Sequence, residues 1–136
     1  MIVADANILV GFVCQPERRV CSEKARALDP VWVLPPLWRH EFMNALVQLV
    51  KHRHYTAAEA RNIWRETVAA FDGKEQPVDM DAALGIAISH GVSGYDAQYV
   101  ALAEALDAPL LTEDRELLRK FPQRAVSLEM FARRRP

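Results

Sequence analysis

Ile2-Val3-Ala4-Asp5-Ala6-Asn7 is the stretch that decides the fold. Its three apolar residues stand too close to the N-terminus to form a helix and run into a polar turn, so they predict a short buried strand. Similar strand-like runs follow at 31–34, 109–112 and 125–128. Because helical patterns separate these runs, we expect an α/β, three-layer fold whose central parallel sheet is flanked by helices on both faces.

The helical segments are marked by apolar spacing and by caps. Thr56-Ala57-Ala58-Glu59 has the form of a capping box, and Gly73 is placed to end the helix that it opens. Together with the preceding helix this predicts a helical hairpin. The predicted helices are one after Asn7 that breaks near Pro16, then 17–28, 37–52, 57–72, 81–89, 95–107 and 115–120.

Length and composition set the broad class. The 136 residues, 51% hydrophobic and 26% charged, are typical of one globular domain spanning 1–136. The net charge of −1 excludes a protein that coats nucleic acid by charge alone. Cys14 and Cys21 match no metal or disulfide pattern, and no apolar run is long enough for a membrane span or a signal peptide. We therefore expect a soluble, cytoplasmic protein with no membrane association.

Four acidic residues are candidates for a functional site. Asp5 ends the first strand, and Asp114 lies two residues past the strand that ends at Thr112. The working crevice of a parallel sheet lies beyond the carboxyl ends of its strands, so both acids would face it if these strands are neighbours. Asp96 begins a helix that could point at the same edge. Glu41 stands at the border of an apolar helical stripe, where a charge is costly unless something compensates it.

Each of these acids also has a purely structural explanation. Asp5 could cap the first helix, and Asp96 and Asp114 suit the positive end of a helix dipole. Glu41 could pair with Arg39. Four acids gathered at one end of a sheet would nevertheless repel one another, and hard divalent cations such as Mg²⁺ or Mn²⁺ prefer oxygen ligands of this kind. The remaining acids at helix ends are assigned to capping or solvent: Asp29, Asp79, Asp81 and Asp107.

Four motifs in order resemble those of the PIN-domain ribonucleases. They are Val3-Ala4-Asp5-Ala6-Asn7, Glu41 followed by Asn44-Ala45-Leu46, Tyr95-Asp96-Ala97 with Tyr99 and Ala103, and Leu110-Leu111-Thr112-Glu113-Asp114. The resemblance covers nearly the whole chain and is closest to the VapC toxins of bacterial toxin–antitoxin pairs. A lone T-x-D or D-x-N is weak evidence, whereas all four motifs in this order are specific.

The resemblance implies a Mg²⁺- or Mn²⁺-dependent endoribonuclease in which Asp5, Glu41, Asp96 and Asp114 are both catalytic and metal-binding. Thr112 and Asn7 would support these carboxylates through hydrogen bonds. Many relatives carry a hydroxyl residue just after the first Asp, whereas this chain has Ala6 and Asn7. The implied partners are an RNA substrate, a small VapB-like antitoxin that occludes the crevice, and a second copy of the chain in a homodimer.

Other functions fit the residues less well. A phosphatase with Asp5 as nucleophile would want a second Asp two residues on, where this chain has Asn7. A non-catalytic interaction module remains an alternative in which the acids serve only as caps. The sequence offers three basic clusters for RNA binding, although helix ends and a solvated tail explain them as well: 39–40, 51–54 and 133–135.

Overall fold

The computed structural model describes residues 1–135. Over that range the chain forms four strands and eight helices. The strands are β1 (Ile2–Ala4), β2 (Trp32–Val33), β3 (Leu110–Leu111) and β4 (Ala125–Val126). The helices are α1 (Ala6–Cys14), α2 (Pro16–Leu28), α3 (Trp38–Lys51), α4 (Ala57–Ala70), α5 (Met80–His90), α6 (Gly94–Ala105), α7 (Arg115–Lys120) and α8 (Leu128–Ala132).

The four strands form one parallel sheet in the order β2-β1-β3-β4. In the central pair Val3 lies beside Leu110 and Ala4 beside Leu111. The predicted strands that end before Asp5 and Asp114 are therefore neighbours, and their carboxyl ends meet at one edge. Parallel strands need long crossovers, and here helices supply them.

Alternate side chains of the sheet point into two separate apolar cores. Ile2, Ala4 and Leu111 pack with the core under α1, α3 and α8. Val3 and Leu110 pack on the opposite face with side chains of α6 and α7. This two-faced burial confirms the predicted three-layer α/β fold, since successive side chains of a strand face opposite sides.

Both helix boundaries near Pro16 and the predicted hairpin are present. α1 ends at Cys14 and α2 begins at Pro16, where a proline costs no hydrogen bond. The Thr56 hydroxyl accepts from the Glu59 N–H, and the Glu59 carboxylate accepts from the Thr56 N–H, which is the predicted capping box. No helix within residues 1–135 combines the length and the apolar character needed to cross a bilayer.

The C-terminal prediction was wrong in one respect, because the chain turns into α8 directly after a two-residue β4. The Ser127 hydroxyl accepts from the Met130 N–H and caps this helix. Glu113 Oε1 also accepts from the Leu128 N–H at 2.9 Å, which fixes the start of α8 against the β3–α7 loop. The apolar run 125–128 is thus half strand and half helix start.

Candidate active site

Asp5 leaves the end of β1 at the centre of the sheet edge. Its N–H donates to the Leu111 carbonyl oxygen at 2.9 Å, which continues the β1–β3 ladder by one residue. The side chain is 6% exposed. Its Oδ1 accepts a long, 3.4 Å bond from the Asn7 N–H and so caps α1. The structural role considered from the sequence is real, and it coexists with a position at the crevice.

Thr112 connects the two strand ends. Its hydroxyl donates to Asp5 Oδ2 at 2.8 Å and accepts from the Asp114 N–H at 3.0 Å. The Asn7 side-chain amide also donates to this hydroxyl at 3.4 Å, while Asn7 Oδ1 accepts from the Glu113 N–H at 3.2 Å. Since a hydroxyl has one hydrogen and two lone pairs, every bonding position of Thr112 is used.

Asp114 and Asp96 stand at the starts of two helices. Asp114 Oδ1 accepts from the Leu117 N–H at 2.9 Å and caps α7. Asp96 lies in the first turn of α6, where its N–H donates to the Ser93 hydroxyl, so Ser93 rather than Asp96 is the cap. The Asp96 carboxylate therefore has no capping duty among the described residues.

Glu41 reaches the crevice from the first turn of α3. Its Oε1 accepts from the Tyr99 hydroxyl at 2.7 Å. Arg39, the partner considered from the sequence, pairs with Glu75 instead. Tyr99 is fully buried and lies three residues after Asp96 on α6, so one helix both carries an acid and orients another.

The four acids line one pocket of about 360 Å³, which we call the acid pocket. Asn7 lines it as well, whereas Thr112 and Tyr99 stand behind the carboxylates that they bind. The other lining residues are Ala6, Val10, Gln15, Arg18 and Ala45. The predicted basic clusters at 39–40, 51–54 and 133–135 are not among its lining residues within the described part of the chain.

Burial and the charges of neighbouring carboxylates disfavour the charged forms of Asp5, Glu41 and Asp96. Burial, together with the charges of Glu41 and Asp96, raises the pKa of Asp5 to about 7, against the opposing hydrogen bond from Thr112. Burial raises the pKa of Glu41, while the Tyr99 hydroxyl lowers it. Burial and then the charge of Asp114 raise the pKa of Asp96. A cation in the acid pocket would relieve all three penalties.

The donor set fits a hard divalent cation, because all four candidate ligands are carboxylates. Across residues 1–135, however, no group of three or more His, Cys, Asp or Glu side chains is arranged to hold a metal ion. Mg²⁺ typically retains several waters and takes only one or two carboxylates from the protein. The acid pocket therefore suits a partly hydrated ion better than a closed cage of protein ligands.

Sequence reasoning missed two residues that bear on the acid pocket. Tyr99 was noticed only as part of a motif, although its spacing three residues after Asp96 places both on one side of α6. Arg18 attracted no attention because it belongs to none of the basic clusters. No local pattern in the sequence reveals that α2 brings it to the carboxylates.

Known proteins with similar sequences are nucleases. The family model described as PIN domain matches residues 2–122. The chain is 32% identical, over 89% of its length and 95% of the relative's, to ribonuclease VapC3 of Pyrobaculum aerophilum. It is 38% identical to exonuclease VapC9 of the same organism over 60% of each chain.

Two solved structures share the architecture. The crystal structure of PAE2754 from Pyrobaculum aerophilum has a TM-score of 0.78 at 25% identity, over 96% of this chain and 92% of that one. A toxin–antitoxin complex from Klebsiella pneumoniae has a TM-score of 0.68 at 15% identity, over 94% of this chain and 98% of that one, which is a likeness of fold alone. With the family model covering most of its length, the chain belongs to the PIN domain family of nucleases.

Proposed function

We propose that this chain is a metal-dependent endoribonuclease, the toxin of a toxin–antitoxin pair, acting in the cytoplasm as a single domain spanning 1–136. One observation carries the proposal: acids from the ends of β1 and β3 and from the first turns of α3 and α6 line the same pocket. Helix caps do not require four acids from separate elements to share a pocket. A site that binds divalent cations beside a phosphate accounts for this arrangement.

Asp5, Glu41, Asp96 and Asp114 would hold Mg²⁺ or Mn²⁺. The bound cation would supply an activated water and stabilise the departing oxygen of the phosphodiester. Thr112 fixes the rotamer of Asp5, and Tyr99 fixes that of Glu41, through bonds of 2.8 and 2.7 Å. Such supporting bonds keep ligands in place before the substrate arrives.

The antitoxin is the partner that the relatives suggest. A groove of about 590 Å³ between α3 and α4 has an apolar floor that includes Leu46 and Trp64, and a rim that carries Lys51, Arg61 and Arg65. The rim has no acidic residue within the described part of the chain. An amphipathic antitoxin segment with acidic residues along one side would match both the floor and the rim.

A homodimer is also part of the proposal. Met80, Leu84 and Ile88 of α5 are 59%, 58% and 74% exposed and recur every four residues, so they form a stripe on one face of the helix. Soluble monomers seldom expose such contiguous apolar surface. A two-fold axis beside α5 would bury the stripe against its own copy, as closed dimers do.

The deciding experiment uses a circular RNA, because a molecule without ends can be cut only internally. Linearisation by the purified protein with Mn²⁺ or Mg²⁺, and none with EDTA, is the expected result. An exonuclease would degrade linear RNA and leave the circle intact. Asp5→Asn and Asp96→Asn should abolish cutting, whereas Asp79→Asn, which alters an exposed cap outside the acid pocket, should not.

Other outcomes would contradict this mechanism or indicate a different function. Full cutting by Asp5→Asn and Asp96→Asn, or cutting in EDTA, would exclude the carboxylate mechanism. No cutting of any RNA together with retained partner binding would indicate a non-catalytic interaction module. A phosphorylated Asp5 trapped during turnover would indicate the phosphatase chemistry that Asn7 makes unfavourable.

A further inference from the structure

Arg18 is the one cationic side chain among the described residues that line the acid pocket. It lies in the first turn of α2, two residues after Pro16. A cation there opposes the helix dipole, whose N-terminal end is positive. The stability of α2 therefore gives no reason for an arginine at this position.

The Arg18 guanidinium is also unpaired. Over residues 1–135 no hydrogen bond or ion pair involves it, whereas Arg19 pairs with Glu23, Arg39 with Glu75 and Arg124 with Asp107. The forces that shift the pKa values of Asp5, Glu41 and Asp96 are burial, hydrogen bonds and other carboxylates, with no contribution from Arg18. The arginine shares the pocket with the acids without being neutralised by them.

Gly11 explains how α1 admits this side chain. A Cβ added at Gly11 would lie 3.2 Å from the Arg18 Cδ and 3.9 Å from its Cβ, so the aliphatic stem of Arg18 rests where a side chain of α1 would be. A glycine inside a helix destabilises it relative to alanine. At this position the glycine allows the Arg18 side chain to pack directly against the backbone of α1.

We propose that Arg18 binds a phosphate of the RNA and positions the strand across the carboxylates. Four acids repel a polyanion, and a guanidinium at the same pocket supplies the opposite charge. Its planar fork of N–H donors matches two phosphate oxygens at once. This assignment rests on the proposed function in that RNA is the ligand, and it makes Arg18 a substrate-positioning residue.

The first test measures binding without cleavage. In an Asp96→Asn background, RNA affinity is measured by fluorescence anisotropy between 50 and 200 mM salt for Arg18→Gln and for Arg19→Gln, the next residue along α2. RNA affinity falls as salt rises, and losing one phosphate contact should make the slope of log affinity against log salt shallower by about 0.7. We expect that smaller slope, and an affinity about tenfold weaker, in Arg18→Gln, because the variant loses a charge-assisted hydrogen bond to phosphate. Arg19→Gln should match its parent.

The second test measures cleavage in the otherwise unchanged protein. Arg18→Gln should raise KM for RNA more than it lowers kcat, and Arg18→Lys should recover part of the loss because it restores the charge without the fork. Equal slopes, affinities and KM values for Arg18→Gln and Arg19→Gln would overturn the assignment while leaving the ribonuclease intact. The assignment would also be overturned if Arg18→Gln lost antitoxin binding and kept its RNA affinity. Arg18 would then bind a carboxylate of the antitoxin.

The two proposals can fail separately. If the wild-type protein binds RNA and cuts none, but Arg18→Gln still lowers the salt slope, the function is wrong and the Arg18 site stands. If the wild-type protein binds no RNA at all, both are wrong.

Discussion

The Thr112 hydroxyl donates a 2.8 Å hydrogen bond to Asp5 Oδ2, joining two residues that are 107 positions apart in the chain. The bond exists because β1 and β3 are neighbours in the sheet and end at the same level. It gives the most buried acid of the site a donor, and it opposes the rise in the pKa of Asp5 that burial causes. Thr112 therefore affects both the position and the charge of Asp5.

Thr112→Val should weaken metal binding and shift it to higher pH. Valine keeps the shape of threonine but removes the donor that lowers the Asp5 pKa, so Asp5 stays protonated over a wider pH range. It also leaves the Asp114 N–H without its acceptor, at a cost of about 1–3 kcal/mol. Mn²⁺ titrations across pH 5–9 would measure the shift, and Thr112→Ser should titrate like the wild type. An unchanged pH midpoint in Thr112→Val would contradict this role.

The metal-free protein should lose stability as pH rises through the Asp5 titration. The folded pKa of about 7 lies above the ordinary value of 3.8, so between these values the folded state holds a proton that the unfolded state has lost. The free energy of unfolding should then fall by about 4 kcal/mol between about pH 4 and about pH 7, and level off above. This total follows from about 1.4 kcal/mol for each unit of pKa difference.

Asp5→Asn isolates this contribution, since asparagine has no proton to release. In EDTA the variant and the wild type should be similarly stable near pH 4, and the variant should be the more stable by pH 8. Urea denaturation at a series of pH values measures the difference. Asp79→Asn, at an exposed cap, provides the comparison. If the difference in free energy of unfolding between the wild type and Asp5→Asn does not vary with pH, the fold does not raise the pKa of Asp5.

The sequence was informative wherever function depends on where an element ends. Asp5 and Asp114 were predictable because they follow apolar runs, and parallel strands bring their carboxyl ends together. The Tyr99–Glu41 bond depends on how α6 lies against α3, 58 residues away, and no local pattern encodes that contact. Arg18 was harder still. The glycine that makes room for it, Gly11, has no recognisable role until the structure shows the Arg18 side chain against it.

Tyr99→Phe should lower kcat/KM for RNA by about 10- to 100-fold, the range typical of residues that hold metal ligands. The ring stays buried, so packing is kept while Glu41 loses its donor. Because that donor lowers the Glu41 pKa, the acidic limb of the pH–rate profile should also move to higher pH. Tyr55→Phe, which removes a hydroxyl bonded to the Cys14 carbonyl oxygen, should change neither quantity. A Tyr99→Phe profile that overlays the wild type would make Tyr99 purely a packing residue.

Ile88→Glu and Leu84→Glu should convert the proposed dimer to a monomer. Each places a charge in the α5 stripe, and two-fold symmetry would bring every introduced charge near its own copy. Both side chains are more than half exposed in the single chain, so the monomer should keep its fold and its circular dichroism spectrum. Sedimentation equilibrium would show half the wild-type mass. Val20→Glu is the matched control, because Val20 of α2 is 72% exposed and lies outside the stripe. If Ile88→Glu and Val20→Glu both sediment as dimers, the stripe is not the contact between copies. If the wild type is already a monomer, the proposed dimer is wrong.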